Sequence, residues 1–198
     1  MPETRCAAVV LAAGASTRLG KTKQLIRVGG ETLLRRTARL ALKAGCAPVT
    51  AVLGYEAERL RPEVEALGAA VAVNPQWREG MGASLRCGME ALCAREPRPD
   101  RVLLLVCDQP RLTVEHVRAL LERHAGGGAA ITASLYGGRP GVPAVFAEEV
   151  FPELLTSAGD RGAREVIRKD ARRVQAVAWP DGEVDLDRPE DLGRLAQE

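Results

Sequence analysis

The sequence predicts an α/β protein whose open, mostly parallel sheet is covered by helices on both faces. Three observations carry that expectation. Short apolar, β-branched runs alternate with helical periodicities along the whole chain. The runs 7–12 and 102–107 are apolar at consecutive positions, as in strands buried on both faces. The chain has 198 residues, 46% of them hydrophobic, which suits one core of ordinary size. Neither a repeat nor a linker divides it, so a single domain over 1–198 is expected.

The first strand, 7–12, ends at Gly14. Residues 32–44 place Leu33, Leu34, Ala38, Ala41 and Ala44 on one face and Arg35, Arg36, Arg39 and Lys43 off it. Gly45 then stops this amphipathic helix. A strand at 49–53 is followed by a helix at 56–67, interrupted early by Pro62, and by a strand at 69–73. Ser84 is expected to cap the next helix, with Leu85, Met89, Leu92 and Cys93 as its apolar stripe. After the strand at 102–107, a helix from about Thr113 turns Val114, Val117, Leu120 and Leu121 inward. Gly126, Gly127 and Gly128 form a loop leading to a strand near 129–134. Strands at 143–146 and 174–178 and a closing helix at 189–196 complete the chain. In such sheets ligands bind beyond the carboxyl ends of strands, near the point where strand order reverses.

Charge narrows the functional classes. Against 26 acidic residues stand 28 basic ones, a net charge of +2, which argues against a protein that coats polyanions. Aromatics make up 3%, too few for a base-stacking platform. Only Lys21, Lys23, Lys43 and Lys169 are lysines; the other basic residues are arginines. No apolar run approaches the ~20 residues of a membrane span, and no cleavage-type leader is recognised, so a soluble, cytoplasmic protein without nucleic-acid or membrane partners is expected. Cys6, Cys46, Cys87, Cys93 and Cys107 form no C-x-x-C pair and read as small buried apolar residues. His116 and His124 receive no role and are expected to be solvated.

Chemistry concentrates in the loops. Leu11, Ala12, Ala13, Gly14 and Ser16 follow the first strand directly, with Arg18 and Lys23 close behind. Small residues let backbone N–H groups approach phosphate oxygens, and the two cations supply charge. A tight turn with solvated cations is the other reading of the same residues; the loop matches neither the dinucleotide fingerprint nor the P-loop. Asp108 stands at the end of a buried strand, where a carboxylate can hold Mg²⁺ against phosphate; a turn aspartate before Pro110 is the local alternative. Asn74, Gly80 and Ser84 border a helix start with free N–H donors, and Trp77 either packs or faces a ligand. Asp160, Arg161 and Arg164 make a loop suited to an anion, or a surface turn. Tyr136 to Pro143, with Gly141 among them, reads as a rigid turn walling the acceptor side.

The pattern L-A-A-G-x-S-x-R-L-G-x-x-K resembles the signature loop of nucleotidyltransferases of the molybdenum-cofactor type. Further matching segments are 74–88, 107–110, 141–146, 159–164 and 185–192, and the whole is most similar to the molybdenum cofactor cytidylyltransferase branch. The resemblance implies the Rossmann-like, three-layer α/β/α fold of nucleotide-diphospho-sugar transferases. It implies Arg18, Lys23 and Asp108 as catalytic residues, with Asp108 and Asp187 as ligands to Mg²⁺ or Mn²⁺. Asp185 is a weaker ligand candidate, and Arg188 departs from the usual threonine. Leu11, Ala12, Ala13, Gly14, Ser16, Arg18, Lys23, Asn74, Gly80 and Ser84 would bind the nucleotide. Trp77, Tyr136, Gly141, Asp160, Arg161 and Arg164 would bind the acceptor.

The implied reaction transfers CMP from CTP to the terminal phosphate of molybdopterin, with a molybdoenzyme or its maturation chaperone as recipient. Related guanylyltransferases tend to carry glycine where this chain has Ala13, which favours CTP. The alternatives are a guanylyltransferase for the same cofactor, a cytidylyl- or uridylyltransferase for a phosphosugar or phosphopolyol, and a non-catalytic nucleotide-binding handover module.

Overall fold

The computed structural model describes residues 6–17, 19–160, 162–184, 186 and 191. In chain order the elements are β1 (Cys6–Ala12), β2 (Arg27–Val28), β3 (Glu31–Thr32), α1 (Leu33–Lys43), β4 (Val49–Leu53), α2 (Ala57–Glu65), β5 (Ala70–Val73) and α3 (Met81–Cys93). They continue with β6 (Arg101–Val106), α4 (Val114–Ala125), β7 (Ile131–Tyr136), β8 (Arg139–Ala147), α5 (Phe151–Leu155), α6 (Ala163–Lys169) and β9 (Val174–Ala178).

Seven strands form one sheet in the order β5-β4-β1-β6-β8-β7-β9, and β2 pairs with β3 in a small ribbon. Neighbouring pairs are parallel except at β8, which runs antiparallel to both β6 and β7. Successive side chains of a strand point to opposite faces, and here each face meets helices. Ala8, Val10, Leu103 and Leu105 pack with α1, α2 and α4. Val9, Leu11, Val102 and Leu104 pack with α3, α5 and α6. Fully buried side chains such as Leu104, Met89 and Phe146 each contribute about 1.5–3 kcal/mol by leaving water. This is the three-layer arrangement expected from the alternating elements.

Several local expectations need correction. The helix expected to break at Pro62 runs through it to Glu65, because the fully buried Leu60 and Val64 hold both sides of the proline by packing. Ser84 caps no helix: α3 begins at Met81, with Gly80 as its N-cap, and the buried Ser84 Oγ accepts from Asn74 Nδ2 at 3.0 Å. Gly80 has φ 108, and a Cβ there would stand 2.5 Å from Gly159 O, so glycine lets the chain enter α3 against the 158–160 loop.

Residues 139–143 are no turn but the start of β8, and the hairpin turns at Gly137 and Gly138. Its register shifts between Ala133 and Ser134, opposite Pro143, which has no N–H for the ladder. Side chains take up the carbonyls there: Ser134 Oγ donates to Pro143 O at 2.7 Å and Tyr136 OH to Val142 O at 2.9 Å.

The histidines are not solvated. His116 is 8% and His124 6% exposed, held by Ser134 Oγ at 2.8 Å and Thr132 Oγ1 at 2.9 Å. The Ser134 hydroxyl proton points at Pro143 O, so His116 donates from Nε2, and burial lowers its pKa to about 4. Among the cysteines Cys46 and Cys107 are buried, whereas Cys6, Cys87 and Cys93 are partly exposed. Among the described residues no helix is long and apolar enough to cross a membrane. The expected closing helix at 189–196 falls, apart from Asp191, outside the described residues.

Candidate active site

The carboxyl ends of β1, β4 and β6 lie side by side, with Leu11 in register with both Val52 and Val106. The chain leaves β1 toward β4 on one side, and returns through α3 to β6 on the other, so the crevice beyond β1 and β6 is the switch point of the sheet. Two loops open into it.

The loop after β1 is shaped from beneath by Gln24, 1% exposed. Its Nε2 donates to Ala12 O at 2.9 Å and to Gly14 O at 2.7 Å, and Tyr55 N–H donates to Ala13 O at 3.0 Å. Pinning these carbonyls downward frees the loop's other face for a ligand. Ser16 takes φ 51, a left-handed conformation that costs a non-glycine residue of order 1 kcal/mol. Its buried Oγ finds no partner among the described residues. Sequence reasoning missed Gln24, since its partners are backbone carbonyls ten and twelve residues away, brought near only by folding.

The second loop follows β6. Asp108 Oδ2 receives Lys23 Nζ at 2.9 Å, with the side chains 25% and 17% exposed. Arg36 of α1 clamps the turn beyond: Nε donates to Pro110 O at 3.3 Å and Nη2 to Leu112 O at 2.8 Å. Burial, then the neighbouring Arg39 charge, lowers the Arg36 pKa from its ordinary value. Leu186 N–H donates to Asp108 O at 3.0 Å, tying the C-terminal segment to the same loop. Gln109 Nε2 donates to Val142 O at 3.1 Å and links this loop to β8. The adjacent Cys107 is no nucleophile, because burial, reinforced by the Asp108 charge, pushes its thiol up to about 12.

Two hollows open here, of about 560 Å³ and about 460 Å³. Ala12, Ala13, Gly14, Ser16, Gly80 and Ser84 line the first. Gln109, Val142, Arg164 and Arg168 line the second. Leu11, Lys23, Met81, Val106, Asp108 and Asp160 line both, so the Lys23–Asp108 pair stands where the hollows meet.

Not every expected residue arrives there. Trp77, expected on the acceptor side, lines the first hollow, with Arg78 stacked on its ring at 4.3 Å. Asn74 lines neither hollow: it is 3% exposed, and its amide is spent on Ser84 and on Gln76 N–H at 2.9 Å. Tyr136 and Gly141 stand behind the second hollow, where Tyr136 OH accepts from Arg164 Nη2 at 3.3 Å. Arg164 belongs to α6 rather than to a loop. Arg18, Arg161, Asp185 and Asp187 lie outside the described residues.

The donor set suits a hard divalent cation. Asp108 presents carboxylate oxygens at the junction, and Mg²⁺ or Mn²⁺ needs few protein carboxylates when phosphates and water complete its shell. Among the described residues no group of three or more His, Cys, Asp or Glu side chains could form a cage without a substrate.

Known proteins share this architecture. Nicotine blue oxidoreductase of Paenarthrobacter nicotinovorans is 33% identical over 199 residues, covering 94% of each chain. The crystal structure of Rv0371c from Mycobacterium tuberculosis H37Rv superposes with a TM-score of 0.84 at 31% identity, covering 100% of both chains. The Rv0371c complex with manganese gives 0.79 at 28% identity, covering 98% of this chain and 99% of that one. A family model, the MobA-like NTP transferase domain, matches residues 8–175, from the first buried strand through both loops of the crevice to the last strand. With its small-residue loop, its strand-end carboxylate and its sheet order, the chain belongs to the family of MobA-like NTP transferases.

Proposed function

We propose that this nucleotidyltransferase moves CMP from CTP to the terminal phosphate of a molybdopterin-type acceptor and releases pyrophosphate. The observation that carries the reading is the meeting of two hollows at Lys23 and Asp108. A transfer between two substrates needs separate seats that touch at the reacting phosphorus. The loop of Ala12, Ala13, Gly14 and Ser16 seats the nucleotide, and the hollow beside Arg164 seats the acceptor. Ala13 supports CTP by resemblance, since related guanylyltransferases tend to carry glycine there.

An anionic oxygen of the acceptor phosphate forms a bond to the α-phosphorus. The bond from that phosphorus to the bridging oxygen breaks, and pyrophosphate departs with the electron pair. The nucleophile is already charged, so no protein base is required, and both histidines lie buried away from either hollow. Lys23, with Arg18, neutralises phosphate charge, and the turn clamped by Arg36 keeps Asp108 in place. Asp108, with Asp187 by resemblance, would hold Mg²⁺ or Mn²⁺, which supplies Lewis-acid charge neutralisation at the phosphate oxygens. Support for such a metal comes from the manganese complex of the Rv0371c relative.

The test is pyrophosphate release with each of the four NTPs and Mg²⁺ or Mn²⁺, with and without molybdopterin. CTP-selective, acceptor-dependent turnover is expected, falling about 100-fold in Asp108→Asn with the fold retained by circular dichroism. Full activity of that variant, or no release with any pair, overturns the reading. One relative's name raises an oxidoreductase as a rival, which would show as NADH or NADPH consumption without pyrophosphate.

A further inference from the structure

Helix α6 carries a second arginine that the family pattern leaves unassigned. Arg164 and Arg168 stand four residues apart, so their side chains share one face of the helix. Both line the hollow that also reaches Lys23 and Asp108. Arg164 is positioned by Tyr136, whose hydroxyl accepts from Nη2 at 3.3 Å and donates to Val142 O at 2.9 Å. Arg168 makes no hydrogen bond and no ion pair among the described residues. Its helical neighbour Lys169 instead turns away to Glu153 at 3.0 Å, a carboxylate that Arg173 also engages. Asp108, Asp160 and Glu165 are the acids of the same hollow, and Lys23 already occupies Asp108.

We propose that Arg168 is a further binding residue for the acceptor, and that Arg164 and Arg168 together grip an oxyanion on it. The inference rests on the two-seat reading above. A guanidinium offers a planar fork of donors that matches phosphate oxygens, and two forks one helical turn apart reach a single phosphate group from two directions. The first hollow contains neither arginine, so the grip serves the acceptor and not the triphosphate tail.

The experiment compares wild type with Arg168→Ala and Arg168→Lys, with Lys169→Ala as the control outside the hollow. Steady-state rates give kcat and KM for CTP and for molybdopterin separately, and calorimetry gives the affinity for glycerol 3-phosphate without turnover. The loss of one charge-assisted bond is expected to raise the acceptor KM roughly tenfold to hundredfold in Arg168→Ala. The expected CTP KM and Tm are those of wild type, with Arg168→Lys intermediate. An unchanged acceptor KM overturns the proposal, as does a rise confined to the CTP KM. Should wild type release no pyrophosphate with any acceptor, the enzymatic reading fails and calorimetry decides the arginines alone. Weaker glycerol 3-phosphate binding by Arg168→Ala then supports the grip; equal binding, or none to wild type, overturns it.

Discussion

Acid sensitivity of the fold should come from its two histidines well before its carboxylates. Burial, the largest cause for both, lowers His116 to about 4 and His124 to about 4, with the Arg101 charge adding to the second. An unfolded histidine titrates near ~6.5. Between those values the unfolded chain binds protons that the folded chain refuses, so stability is complete above pH ~6.5 and falls as pH drops. Integrating from pH 7 to pH 5 gives a loss of about 2 kcal/mol for each histidine and about 4 kcal/mol for the two. Carboxylates contribute little in that window. Glu153, for example, is held at about 2 chiefly by its hydrogen bond from Arg173, and its unfolded value is 4.5. His116→Gln and His124→Asn keep a donor or acceptor near Nε2 and Nδ1 but cannot be protonated. Urea titrations followed by circular dichroism at pH 7, 6 and 5 should show wild type losing stability while the double variant stays nearly flat. Equal slopes for the two proteins would refute the argument.

Two packing and loop predictions follow from single contacts. A Cβ at Gly88 would stand 2.7 Å from both Val9 Cγ1 and Val52 Cγ2, where α3 presses on the sheet. Gly88→Ala should therefore destabilise by about 1–2 kcal/mol, overpacking outweighing the ~1 kcal/mol of helix propensity gained; a raised urea midpoint would contradict this. Gln24→Leu removes both amide bonds to Ala12 O and Gly14 O and leaves the buried Ala12 carbonyl unpaired, at a cost of about 1–3 kcal/mol. The loop should lose its shape, raising the CTP KM about tenfold. An unaltered CTP KM would show that Gln24 does not shape the nucleotide seat.

Much of the architecture is legible in local chemistry. Strands β4 and β9 coincide with the expected 49–53 and 174–178, because a run of β-branched and small apolar residues between polar stretches specifies a strand within its own length. Thr32 and Thr113 cap α1 and α4 through Arg35 N–H and His116 N–H, a signal carried by neighbours three residues apart. The small-residue loop and Asp108 could be singled out for the same reason, each lying at the end of an apolar run.

What remained hidden depends on partners distant in the chain. His116 reads as a solvated helix residue until β7 brings Ser134 to its ring and Trp179 stacks on it at 4.9 Å. Ser84 looks like a cap until Asn74 claims its hydroxyl and Gly80, pressed against Gly159, starts the helix four residues earlier. Composition and pattern along the chain were enough for the fold class and for singling out the small-residue loop after β1 and the strand-end Asp108, because short-range preferences encode them. The junction of two hollows at Lys23 and Asp108, residues 85 apart in sequence, and the face of α6 turned toward it arise from tertiary packing. Burial and hydrogen-bond satisfaction, which operate across the whole chain, determine those features.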